Sequence, residues 1–324
     1  SKTTPASPVT AKPTAKPTTT PTAKPTATPT AKPTATPLAT STNAPENDAE
    51  ALKNLIAEQK KLGASSKLSE DIQNSEQYTW ENDRLVEIRW AEVGLKGELS
   101  TENFSALRYL DCGSEYEDNQ LTSLDVTKNT ALTYLSCYGN QLSSLDVTKN
   151  TALTSLDCGN NQLTNLDITK NTALTSLYCI NNQLTRLDVT KNTALTDLSC
   201  YGNQLTSLVI TKNTALTSLD CSDNQLTNLD VTKNTALTDL DCGNNQLSSL
   251  DVTKNAALTY LYCRGNQLTS LDVTKNTALT LLWCYENRLT RLDVTNNTAL
   301  TDLSCSNNQL SSLDVTKNTA LTSL

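Results

Sequence analysis

From Leu121 onward, one 21-residue unit, LTSLDVTKNTALTYLSCYGNQ, recurs without a slip, placing cysteines at 137, 158, 179, 200, 221, 242, 263, 284 and 305. A fixed period of this length restricts the chain to a solenoid, in which each turn touches mainly its neighbours. Cys112 precedes Cys137 by 25 residues because four extra residues lie in the loop over 113–118. One turn offers five large aliphatic side chains, at roughly 1.5–3 kcal/mol per buried side chain. Ordering its 21 residues costs roughly 1–2 kcal/mol each, so a lone turn cannot persist and the copies must stack.

Each unit contains two related halves, Leu121–Ala131 and Leu132–Gln141, both reading L-x-x-L-x-(V/C)-x-x-N. The spacing of Leu124 to Val126 and of Leu135 to Cys137 is the period of two that puts alternate strand side chains on one core. Two short parallel strands per turn are therefore expected, making the chain mainly β. Asn129 and Asn140 follow the two strands and suit corners, where an amide can bond backbone groups that have left the ladder. Leu132, Leu135, Cys137 and Asn140 match the L-x-x-L-x-L-x-x-N segment, so the chain resembles the leucine-rich-repeat family, and its nested halves resemble the bacterial subclass called IRREKO. The resemblance covers Leu107 to the end. It implies the fold and a binding role toward proteins, sugars or lipids, and no chemistry of its own.

Three regions are expected. Residues 1–47 form a Pro/Thr-rich disordered linker holding all ten prolines, of the kind that spaces exported domains. Residues 48–106 form an N-terminal cap, with a helix over Asp48–Gly63 and strands at Gln77–Trp80 and Arg84–Trp90. Trp80 and Trp90 fit closure of the first turn better than a ligand platform. Residues 107–324 form the solenoid, expected to continue or be capped beyond 324 because Leu321–Leu324 stops short of the next cysteine. The absence of methionine points to an excerpt or processed product. No window has the length of a membrane-spanning helix. The tract over 1–37 holds five lysines and no acid, which leaves 21 basic and 34 acidic residues in the rest of the chain, near −13, and such a region would repel nucleic acid.

Two columns invite a metal reading. The cysteines form a straight row without histidine or C-x-x-C, which cannot wrap zinc, and are expected to pack as buried free thiols. The aspartates at 125, 146, 167, 188, 230, 251, 272, 293 and 314 attract a calcium reading, but Val209 interrupts them and each has a Thr two residues on. No metal site and no cofactor are expected. Without histidine the usual base for a serine or cysteine nucleophile is missing, and no catalytic residue is assigned.

The informative positions are those that vary. Residues flanking Leu135 and its counterparts change from turn to turn, and they place Tyr260, Tyr262, Trp283 and Tyr285 on adjacent turns. Asp197, Asp220, Asp239 and Asp241 come just before them, with Asp223 in a nearby loop. An aromatic cluster beside a patch of one charge sign favours recognition over drift. The expectation is a noncatalytic extracellular recognition or adhesion module, secreted or displayed on a bacterial surface, binding a protein or glycan ligand through this variable strand face. A second expectation, of another class, is an accessory carbohydrate-binding domain of a larger secreted polysaccharide-degrading enzyme. A third is a passive spacer. The crowded acids are expected to prefer cationic partners over a tight calcium ion.

Overall fold

The computed structural model describes residues 47–116 and 119–324, so the linker expected over 1–47 lies, except for Asn47, outside the described residues. Helix α1 (Asp48–Lys61) begins where the Glu50 amide donates to Asn47 Oδ1 at 2.9 Å, with acids in its first turn and lysines in its last. It stops two residues before the expected Gly63, which follows as a positive-φ residue (φ +95). Ala51, Leu52, Leu55 and Ile56 form its buried side.

Strands β1 (Tyr78–Glu81) and β2 (Arg84–Arg89) make an antiparallel pair, and β2 then pairs in parallel with β4 (Tyr109–Asp111). Both tryptophans of this region serve packing. Trp90 is fully buried and donates to Tyr78 Oη at 3.1 Å, while half-buried Trp80 donates to the Ile72 carbonyl at 2.8 Å.

Three-residue strands then follow, one per turn: β6 (Tyr134–Ser136), β7 (Ser155–Asp157), β8 (Ser176–Tyr178), β9 (Asp197–Ser199), β10 (Ser218–Asp220), β11 (Asp239–Asp241), β12 (Tyr260–Tyr262), β13 (Leu281–Trp283) and β14 (Asp302–Ser304). Together they complete a 12-stranded sheet in the order β1-β2-β4-β6 onward to β14. The parallel solenoid is as expected from the repeat. The second strand per turn occurs once among the described residues, where β3 (Lys96–Ser100) pairs with β5 (Gln120–Asp125).

In later turns the first half forms no paired strand among the described residues. Asp146 Oδ1 accepts from both the amide and the hydroxyl of Thr148, at 2.9 and 2.7 Å, as Asp125 at the end of β5 does from Thr127. Asn161 Oδ1 takes the Leu142 amide at 2.9 Å, and the main chains of adjacent first halves meet at Gln162 N to Leu142 O, 2.8 Å.

Inside, the leucines, valines and cysteines form one continuous core. Asparagine columns stitch its two corners. Asn161 Nδ2 donates to the carbonyls of Cys137, Cys158 and Gly159, which satisfies buried backbone oxygens on two turns. In the other column Asn150 Nδ2 donates to Val126 and Asn129 carbonyls at 2.8 and 2.9 Å, but its Oδ1 accepts nothing from the protein. Eight further asparagines down to Asn318 repeat this. Asn129 differs, because Thr101, standing where later turns have Val or Ile, donates its hydroxyl to Asn129 Oδ1 at 2.7 Å.

Candidate recognition face

Each solenoid strand buries its central leucine and turns the two flanking residues outward, so parallel register stacks these residues in two rows. One row runs Tyr109, Tyr134, Ser155, Ser176, Asp197, Ser218, Asp239, Tyr260, Leu281, Asp302. The other runs Asp111, Ser136, Asp157, Tyr178, Ser199, Asp220, Asp241, Tyr262, Trp283, Ser304. Leucine-rich turns dictate the centre of each strand and leave the flanks free.

The structure brings Tyr262, Trp283 and Tyr285 into ring contact and places Tyr260 in the neighbouring row of the same strand as Tyr262. Tyr262 and Trp283 meet edge to face, 5.2 Å between centroids at 87°, and Trp283 lies 6.4 Å from Tyr285 at 52°. Trp283 is held in place by donating Nε1–H to Asp302 Oδ1 at 3.0 Å. Tyr260 stands beside them, 43% exposed.

The acids are less uniform than the sequence suggests. Arg264 Nη1 contacts both carboxylate oxygens of Asp241, at 3.2 and 3.0 Å, while its guanidinium sits 6.0 Å from the Tyr262 ring centre. Asp241 therefore carries its own cation. Among the described residues no basic side chain pairs with Asp197, Asp220 or Asp239. Burial, then the neighbouring charges of Asp241 and Asp220, pushes the Asp239 carboxyl up. Burial likewise raises Asp241, held back by the Gly243 amide and Arg264. Asp223 lies in the loop after β10, with φ +51, and accepts from Asn244 Nδ2 at 3.0 Å.

Sequence reasoning missed the other end of the face. Tyr109 and Tyr134 stack at 4.3 Å and 4°, and Arg89 covers the outer face of Tyr109 at 5.1 Å. Tyr109-Leu110-Asp111 stands before Cys112 as Tyr134-Leu135-Ser136 stands before Cys137, but the enlarged loop after Cys112 breaks the period that would have aligned them. Asp157 lies nearby. Burial pushes its carboxyl up to about 6, opposed by the Gly159 amide and assisted by Asp111.

The remaining candidates are structural in form. The cysteines are free, nine of them join Cys112 in the column, and all are buried except half-exposed Cys305. Burial raises their thiol pKa, Cys284 to about 12. The aspartate column uses one oxygen of each residue to hold the Thr two places on, and at Asp188 the hydroxyl and amide bonds of Thr190 lower the carboxyl pKa. Among the described residues no group of three Cys, Asp or Glu side chains is placed to hold a metal. A hollow of about 320 Å³ lies against α1, lined by Lys53, Ile56, Ala57, Lys60 and Glu70, away from the strand rows.

A family model for leucine-rich repeats in two copies matches residues 130–171 and 214–254. The functional domain of InlJ from Listeria monocytogenes, described as including a cysteine ladder, is 45% identical, with a TM-score of 0.65 over 68% of this chain and 49% of that one. The chain thus spans about half the length of that domain. YopM from Yersinia pestis, a leucine-rich effector protein, superposes with a TM-score of 0.60 at 22% identity, covering 82% of this chain and 84% of that one. The internalin InlF from Listeria monocytogenes gives 0.52 at 21%, over 84% of this chain and 93% of that one. The last two likenesses concern the fold alone. No curated protein sequence matches the chain.

Proposed function

Because the chain is a leucine-rich-repeat protein, built on the fold typical of protein–protein recognition modules, we propose that it is a noncatalytic extracellular recognition or adhesion module. It binds a protein partner through the variable strand face, at the surface of a bacterium or secreted from one. The carrying observation is the contiguous cluster of Tyr260, Tyr262, Trp283 and Tyr285 beside the uncompensated acids Asp197, Asp220 and Asp239. Tyrosine and tryptophan supply large rigid contact area at low entropic cost, and acids at the margin set the sign of the partner. In this reading residues 48–106 close one end of the core.

The carbohydrate reading is weaker on geometry. A sugar ring stacks on a flat aromatic face, whereas Tyr262 and Trp283 stand nearly perpendicular and the Trp283 indole is tied to Asp302. The test is a peptide array and a panel of insoluble glycans, probed with the wild-type chain and with a Tyr260→Ala, Tyr262→Ala, Trp283→Ala variant of unchanged circular dichroism. Peptide capture lost in the variant is expected. Retention on glycans alone, or capture the variant keeps, would reassign the function or the face.

A further inference from the structure

At the opposite end of the sheet, β4, β6 and β7 leave one aromatic surface uncovered. The rings of Tyr109 and Tyr134 are parallel, so their normals run from strand to strand. Arg89 covers one end of the stack, and the free face of Tyr134 turns toward β7, where its register partner is Ser155. Serine is too small to cover the ring, Ser176 follows it in the same row on β8, and Tyr178 stands next to Asp157 in the second row. Among the described residues no other ring or cation lies over Tyr134. Asp157 borders the space from the second row, and its carboxylate has no basic partner among the described residues. Its one described bond is from the Gly159 amide to Oδ1, at 3.1 Å.

The protein already shows what fits such a place. Arg89 lies on Tyr109, and Arg264 combines a tyrosine ring with both oxygens of Asp241. A planar guanidinium suits both elements at once, stacking flat on the ring and donating its fork to the carboxylate, which an ammonium does as a point charge only.

We propose that the slot formed by Tyr134, Ser155 and Asp157 receives an arginine side chain of the partner protein. The occupant extends the Arg89–Tyr109–Tyr134 stack by one layer and supplies the cation that Asp157 lacks. Burial makes the isolated Asp157 charge unfavourable, so ion pairing gives that carboxylate more than it would on an open surface. The slot rests on the recognition reading and specifies its partner as an arginine-bearing polypeptide. It lies six strands from Tyr260 (β6 to β12), on the order of 29 Å along the sheet at about 4.8 Å per strand, so the two ends are separable by mutation.

The probe is an acetylated, amidated peptide of Gly-Arg-Gly repeats, with lysine and citrulline versions as controls, titrated against the chain by calorimetry or by tyrosine fluorescence. The arginine peptide is expected to bind about tenfold or more tightly than the neutral citrulline peptide, and several-fold more tightly than the lysine peptide. Tyr134→Ala and Asp157→Asn should each abolish the arginine preference, and Tyr134→Phe, which keeps the ring, should preserve it. Lys254→Ala, in the constant first half of a later turn, should leave it intact. Equal affinity for all three peptides, an arginine preference unmoved by Tyr134→Ala, or no binding would overturn the slot. An arginine preference that depends on Trp283 and not on Tyr134 would remove the slot while leaving the recognition face standing.

Discussion

Thr101 and Val189 occupy equivalent places in different turns, and exchanging their chemistry should reverse the usual rule for buried residues. Thr101 gives its hydroxyl to Asn129 Oδ1 at 2.7 Å, whereas Val189 faces the turn of Asn213, whose Nδ2 donates to the Val189 carbonyl at 2.9 Å and whose Oδ1 has no protein donor. Thr101→Val keeps the shape and strands a fully buried acceptor, so a loss of about 1–3 kcal/mol is expected. Burying an unpaired hydroxyl at Val189→Thr would by itself cost about 1–3 kcal/mol. Here the new hydroxyl meets an acceptor that already bears its desolvation cost, so a net change within about 1 kcal/mol of zero follows. Urea unfolding followed by far-UV circular dichroism reads both, with an unchanged slope confirming that the midpoint reports stability. A neutral Thr101→Val together with a Val189→Thr that costs more than about 2 kcal/mol would contradict an unpaired oxygen at Asn213. It would mean that the asparagine oxygens are already satisfied.

Three further outcomes follow from the site. Asp157 has a native pKa of about 6 against 3.8 as the reference, so the native state binds more protons between those values and stability falls as pH rises through that window. Asp157→Asn should therefore stabilise by up to about 3 kcal/mol at pH 7 and hardly at all at pH 4, and equal effects at both pH values in thermal melts would contradict this. Alkylation of the native protein should be slow at the buried cysteines and fastest at half-exposed Cys305, whereas uniform rapid labelling by mass spectrometry would show that the column opens. Calcium titration by calorimetry should show no stoichiometric micromolar site, because Asp241 is held by Arg264 and the aspartate column by threonines; such a site, lost in Asp220→Asn with Asp241→Asn, would restore the metal reading.

The repeat made the solenoid legible because every copy states the same core pattern, and the varying flanks of Leu135 pointed to one face. Alternation around Leu124 and Val126 suggested a second strand in every turn, yet among the described residues only β5 of these first halves is paired, with β3, and its Asp125–Thr127 bonds are the same as those of Asp146 and Thr148 in an unpaired turn. Composition marked Asp241 as part of an acidic patch; only the fold brings Arg264, 23 residues later, onto it. Tyr109 and Arg89 were hidden for a related reason, since an irregular loop and an antiparallel hairpin separate them from the repeats whose sheet they join. Periodicity reads what is repeated, and pairings across turns need the register.

In the proposed function the variable strand face, and not the constant first-half face, binds the partner. The direct measurement compares two variants against the same captured peptide: Tyr262→Ala with Trp283→Ala, and Asp230→Ala, Lys233→Ala, Asp251→Ala with Lys254→Ala. Two aromatic anchors at about 2 kcal/mol each predict a loss of 100-fold or more for the first variant, while the second should stay within about threefold. Equal losses, or a loss confined to the constant face, would contradict it.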